Sequence, residues 1–232
     1  MKGRLLMRIS FLYGARTRLG KALASSILVV PLTAWTSMAD PVVVAALGDS
    51  LTQGYGVAQG DGFVPQLEAW LSAQGLEVTL QNAGVSGDTT QGGLSRTGWT
   101  LGPDVDAMIV TLGGNDALRG MDPAVSKANL AGIIEAGLEE DVEVLLIGVQ
   151  APMNFGADYK TTFDSMYAEL SNQYDIALAP DFFAAIRDLP SDDLRDLMQR
   201  DGIHPNAEGV RAIVPVLGPY VQQLVLDAAL GE

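Results

Sequence analysis

The sequence contains no cysteine and one histidine among its 232 residues, and both shortages exclude kinds of chemistry. Without cysteine there is no disulfide, no thiolate nucleophile and no lipid-modified cysteine. With one histidine, a metal site built from several histidines of one chain is excluded. Basic residues are scarce as well, because 14 Lys and Arg face 28 Asp and Glu and give a net charge of −14.

The first 39 residues differ from the rest of the chain in charge and hydropathy. They carry six basic residues and no acidic one, then an apolar stretch from Ala22 to Leu32, then Ser37-Met38-Ala39. This order is typical of a signal peptide, so we predict cleavage after Ala39 and a periplasmic or secreted protein. The alternative is an uncleaved anchor, although the stretch is shorter than the ~20 residues of a membrane span. Met7 is an alternative start to Met1.

Removal of this leader makes the remaining protein more acidic. Six of the 14 basic residues precede Asp40 and all 28 acidic residues follow Ala39, so residues 40–232 carry a net charge of −20. Such a protein is repelled by nucleic acid and by anionic membranes. We therefore expect no nucleic-acid partner and no stable membrane association once the leader is cleaved.

After residue 40, short apolar runs bounded by turn residues alternate with longer helix-like stretches. The runs are unbroken, which is typical of strands buried on both faces of a parallel sheet. The alternation predicts one domain, residues 40–232, with a doubly wound α/β sandwich of three layers around a five-stranded parallel sheet. The predicted strands are Val42–Leu47, Val78–Leu80, Ala107–Leu112, Val144–Val149 and Ile176–Ala179, and the predicted helices are Gly62–Ala73, Thr89–Thr97, Pro123–Glu139, Tyr159–Gln173 and Pro205–Leu230.

Ser50 follows the first predicted strand, and the single histidine, His204, comes three residues after Asp201. A serine hydroxyl is a weak nucleophile unless a base takes its proton, and a histidine side chain titrates near neutrality. Asp201 is close enough in a tight turn to hold one imidazole nitrogen and fix the tautomer. The sequence thus predicts a catalytic triad of Ser50, His204 and Asp201. The alternatives are a helix N-cap for Ser50, a packed histidine and an ordinary turn aspartate.

Four segments extend this pattern: Gly48–Tyr55, Asn82–Thr90, Gly113–Gly120 and Asp201–Asn206. Together they resemble the GDSL or SGNH hydrolases, and most closely the bacterial periplasmic arylesterase, thioesterase I and lysophospholipase group. The resemblance implies a flavodoxin-like sandwich, no cofactor, and hydrolysis of small-molecule esters and thioesters through an acyl-enzyme on Ser50. Thr52 stands where the second glycine of Gly-x-Ser-x-Gly would be, which argues against an α/β-hydrolase elbow.

The resemblance also implies three hydrogen-bond donors to the oxyanion. They are the backbone N–H of Ser50, the backbone N–H of Gly84 and the side-chain amide of Asn115. Acyl transfer needs such preorganised donors, because negative charge develops on the carbonyl oxygen. We expect Asp49, Asp88 and Asp116 to brace the same loops by accepting hydrogen bonds from backbone N–H groups.

Four apolar residues are candidates for binding the acyl chain: Leu118, Met121, Met153 and Phe155. They could equally pack within their loops, so acyl length and the preference for ester or thioester stay open. One alternative function is a carbohydrate O-acetylesterase, and another is a non-catalytic ligand-binding protein on the same scaffold. The intact triad argues against the second. We expect a monomer.

Overall fold

The computed structural model describes residues 41–231, so the predicted signal peptide lies outside it. Five strands form one parallel sheet: β1 (Val42–Gly48), β2 (Val78–Gly84), β3 (Ala107–Thr111), β4 (Glu143–Ile147) and β5 (Ala177–Ala179). Their order in the sheet is β2-β1-β3-β4-β5. Every residue of β3 is buried, as the unbroken apolar run predicts. The predicted α/β fold with a five-stranded parallel sheet is confirmed.

Helices cover both faces of this sheet. α2 and α8 pack together on one face, while α3, α5 and α6 pack in series on the other. Right-handed crossovers join the parallel strands, so a connection that runs one way along the sheet places its helix on one face, and a connection that runs the other way places it on the opposite face. The helices are α1 (Ser50–Gln53), α2 (Phe63–Ala73), α3 (Thr90–Thr100), α4 (Gly114–Leu118), α5 (Pro123–Glu139), α6 (Ala157–Tyr174), α7 (Ser191–Asp196) and α8 (Ala207–Leu230).

The direction of winding reverses beside β1. The chain passes from β1 outward to β2 and then returns across β1 to β3, so β1 and β3 are neighbours from which the chain leads away in opposite directions. In open parallel sheets, ligands bind at the carboxyl ends of the strands at such a switch point. Ser50 directly follows β1 and Asn115 lies in α4 after β3, so the fold brings both to this place.

α8 is the one helix of the described part that is long and apolar enough to span a membrane by composition. The apolar residues of α8 form part of the core. Ile213, Leu217 and Val221 are buried, and the helix packs against α2 and the sheet. Asn206 begins the helix, because its side-chain oxygen accepts hydrogen bonds from the N–H groups of Glu208 and Gly209. α8 is therefore a core helix whose first turn follows directly on His204.

The structure departs from the sequence prediction mainly near the site. β2 continues to Gly84 rather than ending at Leu80, because it is an edge strand whose polar residues interrupt the apolar run. α1, α4 and α7 were not predicted, since helices of four to six residues are too short to show a helical period.

Candidate active site

A cavity of about 510 Å³ opens at the carboxyl edge of the sheet. Ser50 follows β1, Gly87 follows β2 and Asn115 follows β3, so three neighbouring strands deliver residues to this cavity. His204 reaches it from the segment before α8. The walls are mostly apolar side chains, contributed by Leu51, Tyr55, Leu118, Val149, Pro152, Phe183 and Ile203.

The three residues of the predicted triad lie in one hydrogen-bonded chain. His204 Nε2 is 2.8 Å from Ser50 Oγ, and His204 Nδ1 is 2.8 Å from Asp201 Oδ2. The other oxygen of Asp201 accepts the N–H groups of Ile203 and His204 at 2.9 and 3.1 Å. The bond from His204, followed by that from the Ile203 N–H, lowers the pKa of the Asp201 carboxyl to about 2. Asp201 is therefore ionised at neutral pH.

Hydrogen bonds from Gln199 and a ring contact from Tyr55 fix the segment that carries His204. The Gln199 N–H donates to the His204 carbonyl at 2.8 Å, and the Gln199 side-chain amide donates to the carbonyls of Tyr55 and Pro205 at 2.7 and 2.9 Å. The Tyr55 ring lies against the imidazole, with ring centroids 4.7 Å apart. Sequence reasoning gave no role to Gln199 or Tyr55, because neither contact can be read from local spacing.

Ser50 is the first residue of α1, and Asp49 is its N-cap. The Asp49 side chain accepts the Leu51 N–H at 3.0 Å, which leaves the Ser50 hydroxyl for His204. The alternative of Ser50 as an N-cap is therefore wrong. Gly48 is needed just before this turn, because a Cβ there would collide with the Thr52 side chain.

Asn115 lies at the start of α4 and lines the cavity. Its amide nitrogen donates to Asp49 Oδ2 at 3.2 Å, which occupies one of two amide hydrogens. Asp49 is only 2% exposed, and its burial raises the pKa of its carboxyl to about 6 despite the bonds from Leu51 and Asn115.

The Gly84 N–H does not point into the cavity as the sequence reasoning expected. It donates to the Asn82 side-chain oxygen at 3.0 Å, and Gly84 is not part of the cavity wall. Gly84 instead permits close packing, because a Cβ there would collide with the backbone of Gln53 in α1. Gly87, and not Gly84, lines the cavity. Its φ of +82° closes a turn in which the Asp88 N–H donates to the Val85 carbonyl at 3.0 Å.

One of the four candidates for acyl binding, Leu118, lines the cavity. Met121, Met153 and Phe155 lie outside the wall: Phe155 packs against Tyr159, and Met153 is 62% exposed. Sequence reasoning missed Val149 and Phe183, which the structure places in the wall beside Pro152. Phe183 could have been found as an apolar residue shortly after the weak fifth strand, on the same edge of the sheet as Ser50.

Asp116 and Asp88 brace the site differently. Asp116 is fully buried and accepts hydrogen bonds from the Thr90 N–H and from the hydroxyls of Thr90 and Ser126 at 2.6–2.9 Å. This network fixes α4, and with it Asn115, against α3 and α5. Asp88 pairs with the guanidinium of Arg96 at 2.7 Å rather than with a backbone N–H. Between residues 41 and 231, no cluster of three acidic or histidine side chains is arranged to hold a metal ion.

Known proteins share both the sequence and the fold. The model of the GDSL-like Lipase/Acylhydrolase family matches residues 46–212. Esterase TesA of Pseudomonas aeruginosa is 36% identical over 191 residues, which are 82% of this chain and 92% of that protein. Thioesterase 1/protease 1/lysophospholipase L1 of Escherichia coli is 32% identical over 201 residues, 86% of this chain and 91% of that protein. The crystal structure of AlinE4, an SGNH-hydrolase family esterase, matches with a TM-score of 0.67 at 42% identity and covers 81% of this chain and 98% of that one.

A doubly wound sheet that joins a serine, a histidine and an aspartate at its carboxyl edge defines an α/β serine hydrolase. The family match over residues 46–212 makes the class more specific. The chain belongs to the GDSL-like lipase/acylhydrolase family, also called SGNH hydrolases, and is a serine esterase.

Proposed function

We propose that Ser50 is the nucleophile, His204 the general base and Asp201 the residue that orients the base. One observation carries this proposal, the continuous chain of two 2.8 Å hydrogen bonds from Ser50 through His204 to Asp201. With Nδ1–H donated to the Asp201 carboxylate, Nε2 is the basic nitrogen and faces the serine hydroxyl.

The geometry supports acyl transfer in two steps. The Ser50 oxygen attacks the carbonyl carbon of the ester while its proton passes to His204 Nε2. The tetrahedral intermediate collapses and expels the alcohol or thiol, which takes the proton from Nε2 and leaves the acyl group on Ser50. A water that gives its proton to His204 then attacks the acyl carbon. The carboxylic acid leaves, and Ser50 regains its proton.

Three donors serve the oxyanion in this mechanism: the N–H of Ser50, the N–H of Gly87 and the side-chain amide of Asn115. Gly87 replaces Gly84 in this role, because Gly87 lines the cavity and the Gly84 N–H is already engaged by Asn82. No acceptor within residues 41–231 engages the Gly87 N–H. Removal of one such donor typically costs 10²–10³ in kcat.

The substrates in this proposal are small-molecule esters and thioesters, taken with broad specificity. The apolar wall formed by Leu118, Val149, Pro152 and Phe183 suits an acyl chain better than a sugar, so we do not propose a carbohydrate O-acetylesterase. The breadth is supported by the relatives, one named an esterase and another a thioesterase and lysophospholipase. The intact chain from Ser50 to Asp201 speaks against a purely ligand-binding role.

The site of action in this proposal is outside the cytoplasm. Residues 1–39 act as a signal peptide, and the acting enzyme is residues 40–232 as a monomer that does not stay on membranes. The basic and apolar leader supports export, and the net charge of −20 after its removal supports a protein repelled by anionic membranes. Mass analysis of the exported protein should find Asp40 at its N-terminus, and a retained leader on the active enzyme would refute export.

Covalent labelling tests the catalytic proposal directly. A fluorophosphonate should label the wild-type protein on Ser50, with loss of p-nitrophenyl ester hydrolysis in proportion to labelling. Ser50→Ala should be neither labelled nor active. Labelling of another residue, or esterase activity in purified Ser50→Ala protein, would overturn the assignment.

A further inference from the structure

The Asp49 carboxylate links the proposed nucleophile to the proposed oxyanion side chain. Its Oδ1 accepts the Leu51 N–H at 3.0 Å and so caps the helix that begins with Ser50. Its Oδ2 accepts the Asn115 amide nitrogen at 3.2 Å. Gly114 lies close beside that oxygen, because a Cβ on Gly114 would be 3.2 Å from Oδ2. One buried side chain thus contacts two parts of the site through two different oxygens.

The second of these contacts decides which end of the Asn115 amide serves the cavity. A side-chain amide has a donor end and an acceptor end of nearly the same shape, so packing alone distinguishes them poorly. An ionised carboxylate accepts hydrogen bonds only, and it therefore selects the NH₂ end. The second hydrogen of that NH₂ group remains for a ligand in the cavity, which Asn115 lines.

We propose that Asp49 is a positioning residue that holds the Asn115 amide with its NH₂ group, and not its oxygen, toward the substrate oxyanion. This inference rests on the proposed function, since it presumes that Asn115 serves as an oxyanion donor. It goes beyond the role of Asp49 as a helix cap. A flipped amide would present an oxygen lone pair to the developing negative charge.

The charge state of Asp49 matters for this role. Two titratable groups act on its charge: His204 favours the ionised form and Asp88 disfavours it. Asp49 in turn raises the pKa of the buried Tyr167 hydroxyl. Burial has the largest effect and raises the pKa of Asp49 to about 6. A proton is best placed on Oδ2, because Oδ1 is occupied by the Leu51 N–H. Protonated Oδ2 would donate to the amide oxygen of Asn115 and release the productive orientation.

The substitution Asp49→Asn separates the two contacts. Its remaining oxygen can still cap Leu51, while the new NH₂ group replaces the acceptor that faces Asn115. We expect kcat for a p-nitrophenyl ester to fall roughly 10²-fold with KM changed less than about threefold, as for the loss of an oxyanion donor. In the Asn115→Ala background the same substitution should lower kcat less than about twofold, because the amide that it orients is gone. Asp106→Asn is a matched control, since Asp106 accepts the Val43 N–H at the opposite edge of the sheet; its kcat should equal that of the wild type.

The pH dependence of kcat supplies a test that changes nothing at Asp49. Protonation of Asp49 should lower the wild-type kcat by up to about 10²-fold beyond the loss caused by protonation of the base, so log kcat should fall with a slope greater than one on the acid side. In Asn115→Ala the slope should be one. The inference would be overturned if Asp49→Asn kept the kcat of the wild type, or if the substitution lowered kcat equally in the wild type and in the Asn115→Ala background. Equal acid-side slopes of log kcat in the wild type and in Asn115→Ala would overturn it as well. Ser50→Ala assayed in parallel keeps the two proposals apart, because its inactivity upholds the nucleophile whatever Asp49 does.

Discussion

The guanidinium of Arg96 donates a 2.8 Å hydrogen bond to the carbonyl oxygen of Gly48, two residues before the proposed nucleophile. The same group donates to the Ala83 carbonyl at 2.6 Å and pairs with Asp88 at 2.7 Å. A single side chain of α3 therefore ties the ends of β1 and β2 to the turn that contains Gly87. Arg96 lies outside the cavity wall, so any effect of its loss on activity must act through the positions of Ser50 and Gly87.

The first prediction concerns the three contacts that Arg96 makes with Gly48, Ala83 and Asp88. Arg96→Lys keeps the charge and loses the planar fork that reaches three acceptors. Hydrogen bonds to charged groups contribute about 1.5–3 kcal/mol each, so we expect Tm to fall by roughly 5–10 °C. kcat should fall about tenfold with little change in KM, because the proposed oxyanion donors would be displaced. Arg195→Ala removes an exposed pair with Asp192 and should change neither value. A lower Tm with wild-type kcat would show a purely structural role for Arg96.

The second prediction distinguishes Gly84, the last residue of β2, from Gly87 in the turn that follows it. Gly84→Ala places a Cβ against the Gln53 backbone, so it should lower Tm strongly and lower kcat only through misplacement of α1. Gly87→Ala meets no atom within 4 Å, and its φ of +82° costs of order 1–3 kcal/mol for alanine. We expect the larger loss of kcat, about tenfold or more, in Gly87→Ala and the larger loss of Tm in Gly84→Ala. The reverse pattern, measured by steady-state kinetics and thermal unfolding, would return the oxyanion role to Gly84.

The error over Gly84 shows where sequence reasoning ends. Strand ends and the order of motifs permit Ser50, Asn115 and the Asp201–His204 segment to meet at one edge of a parallel sheet, and in the structure they line one cavity there. The same patterns could not predict that Asn82 engages the Gly84 N–H, since that depends on the rotamer of a neighbouring side chain. A turn of four residues then moves the free N–H three positions along the chain, to Gly87.

The cavity wall was harder to predict than the polar residues. Short motifs of a few adjacent residues identify Ser50, Asn115 and His204. Phe183 has no such context: it follows a strand of three residues, and its contact with the cavity arises from the packing of distant loops. Met153 and Phe155 have suitable chemistry but point elsewhere, because Phe155 packs against Tyr159 at the start of α6.

The third prediction ranks the members of the triad. His204→Ala should lower kcat by roughly 10⁶, because nucleophile and base act as a unit, whereas Asp201→Ala should lower it by roughly 10⁴, because Asp201 only orients the base. Asp201→Asn can keep the bonds to the Ile203 and His204 N–H groups while it loses the charge, so it should be about as damaging as Asp201→Ala. Single-turnover assays with an ester that shows no background hydrolysis would measure all three. Near-normal activity in His204→Ala would contradict the triad.

The fourth prediction concerns the free energy of unfolding, which the ionised, buried Asp49 lowers. The pKa of an unfolded aspartate is about 3.9, and burial raises that of Asp49 to about 6 in the folded protein. Between these values the folded state holds a proton that the unfolded state has lost, so the contribution of Asp49 to the free energy of unfolding decreases as pH rises. The penalty is complete above pH ~7 and is roughly 3 kcal/mol, at about 1.4 kcal/mol for each unit of pKa.

Asp49→Asn removes this penalty, since an amide does not ionise. We expect its Tm to exceed that of the wild type by roughly 5–10 °C at pH 8 and to differ little at pH 4, where Asp49 is protonated in the folded protein. Asp106→Asn is the control, because Asp106 is exposed and its substitution relieves no burial of charge. Scanning calorimetry at the two pH values measures both variants. A Tm at pH 8 below that of the wild type would mean that the bonds from Leu51 and Asn115 outweigh the burial of the charge. A higher Tm together with a lower kcat would mean that the esterase keeps a destabilising carboxylate because the site requires its charge.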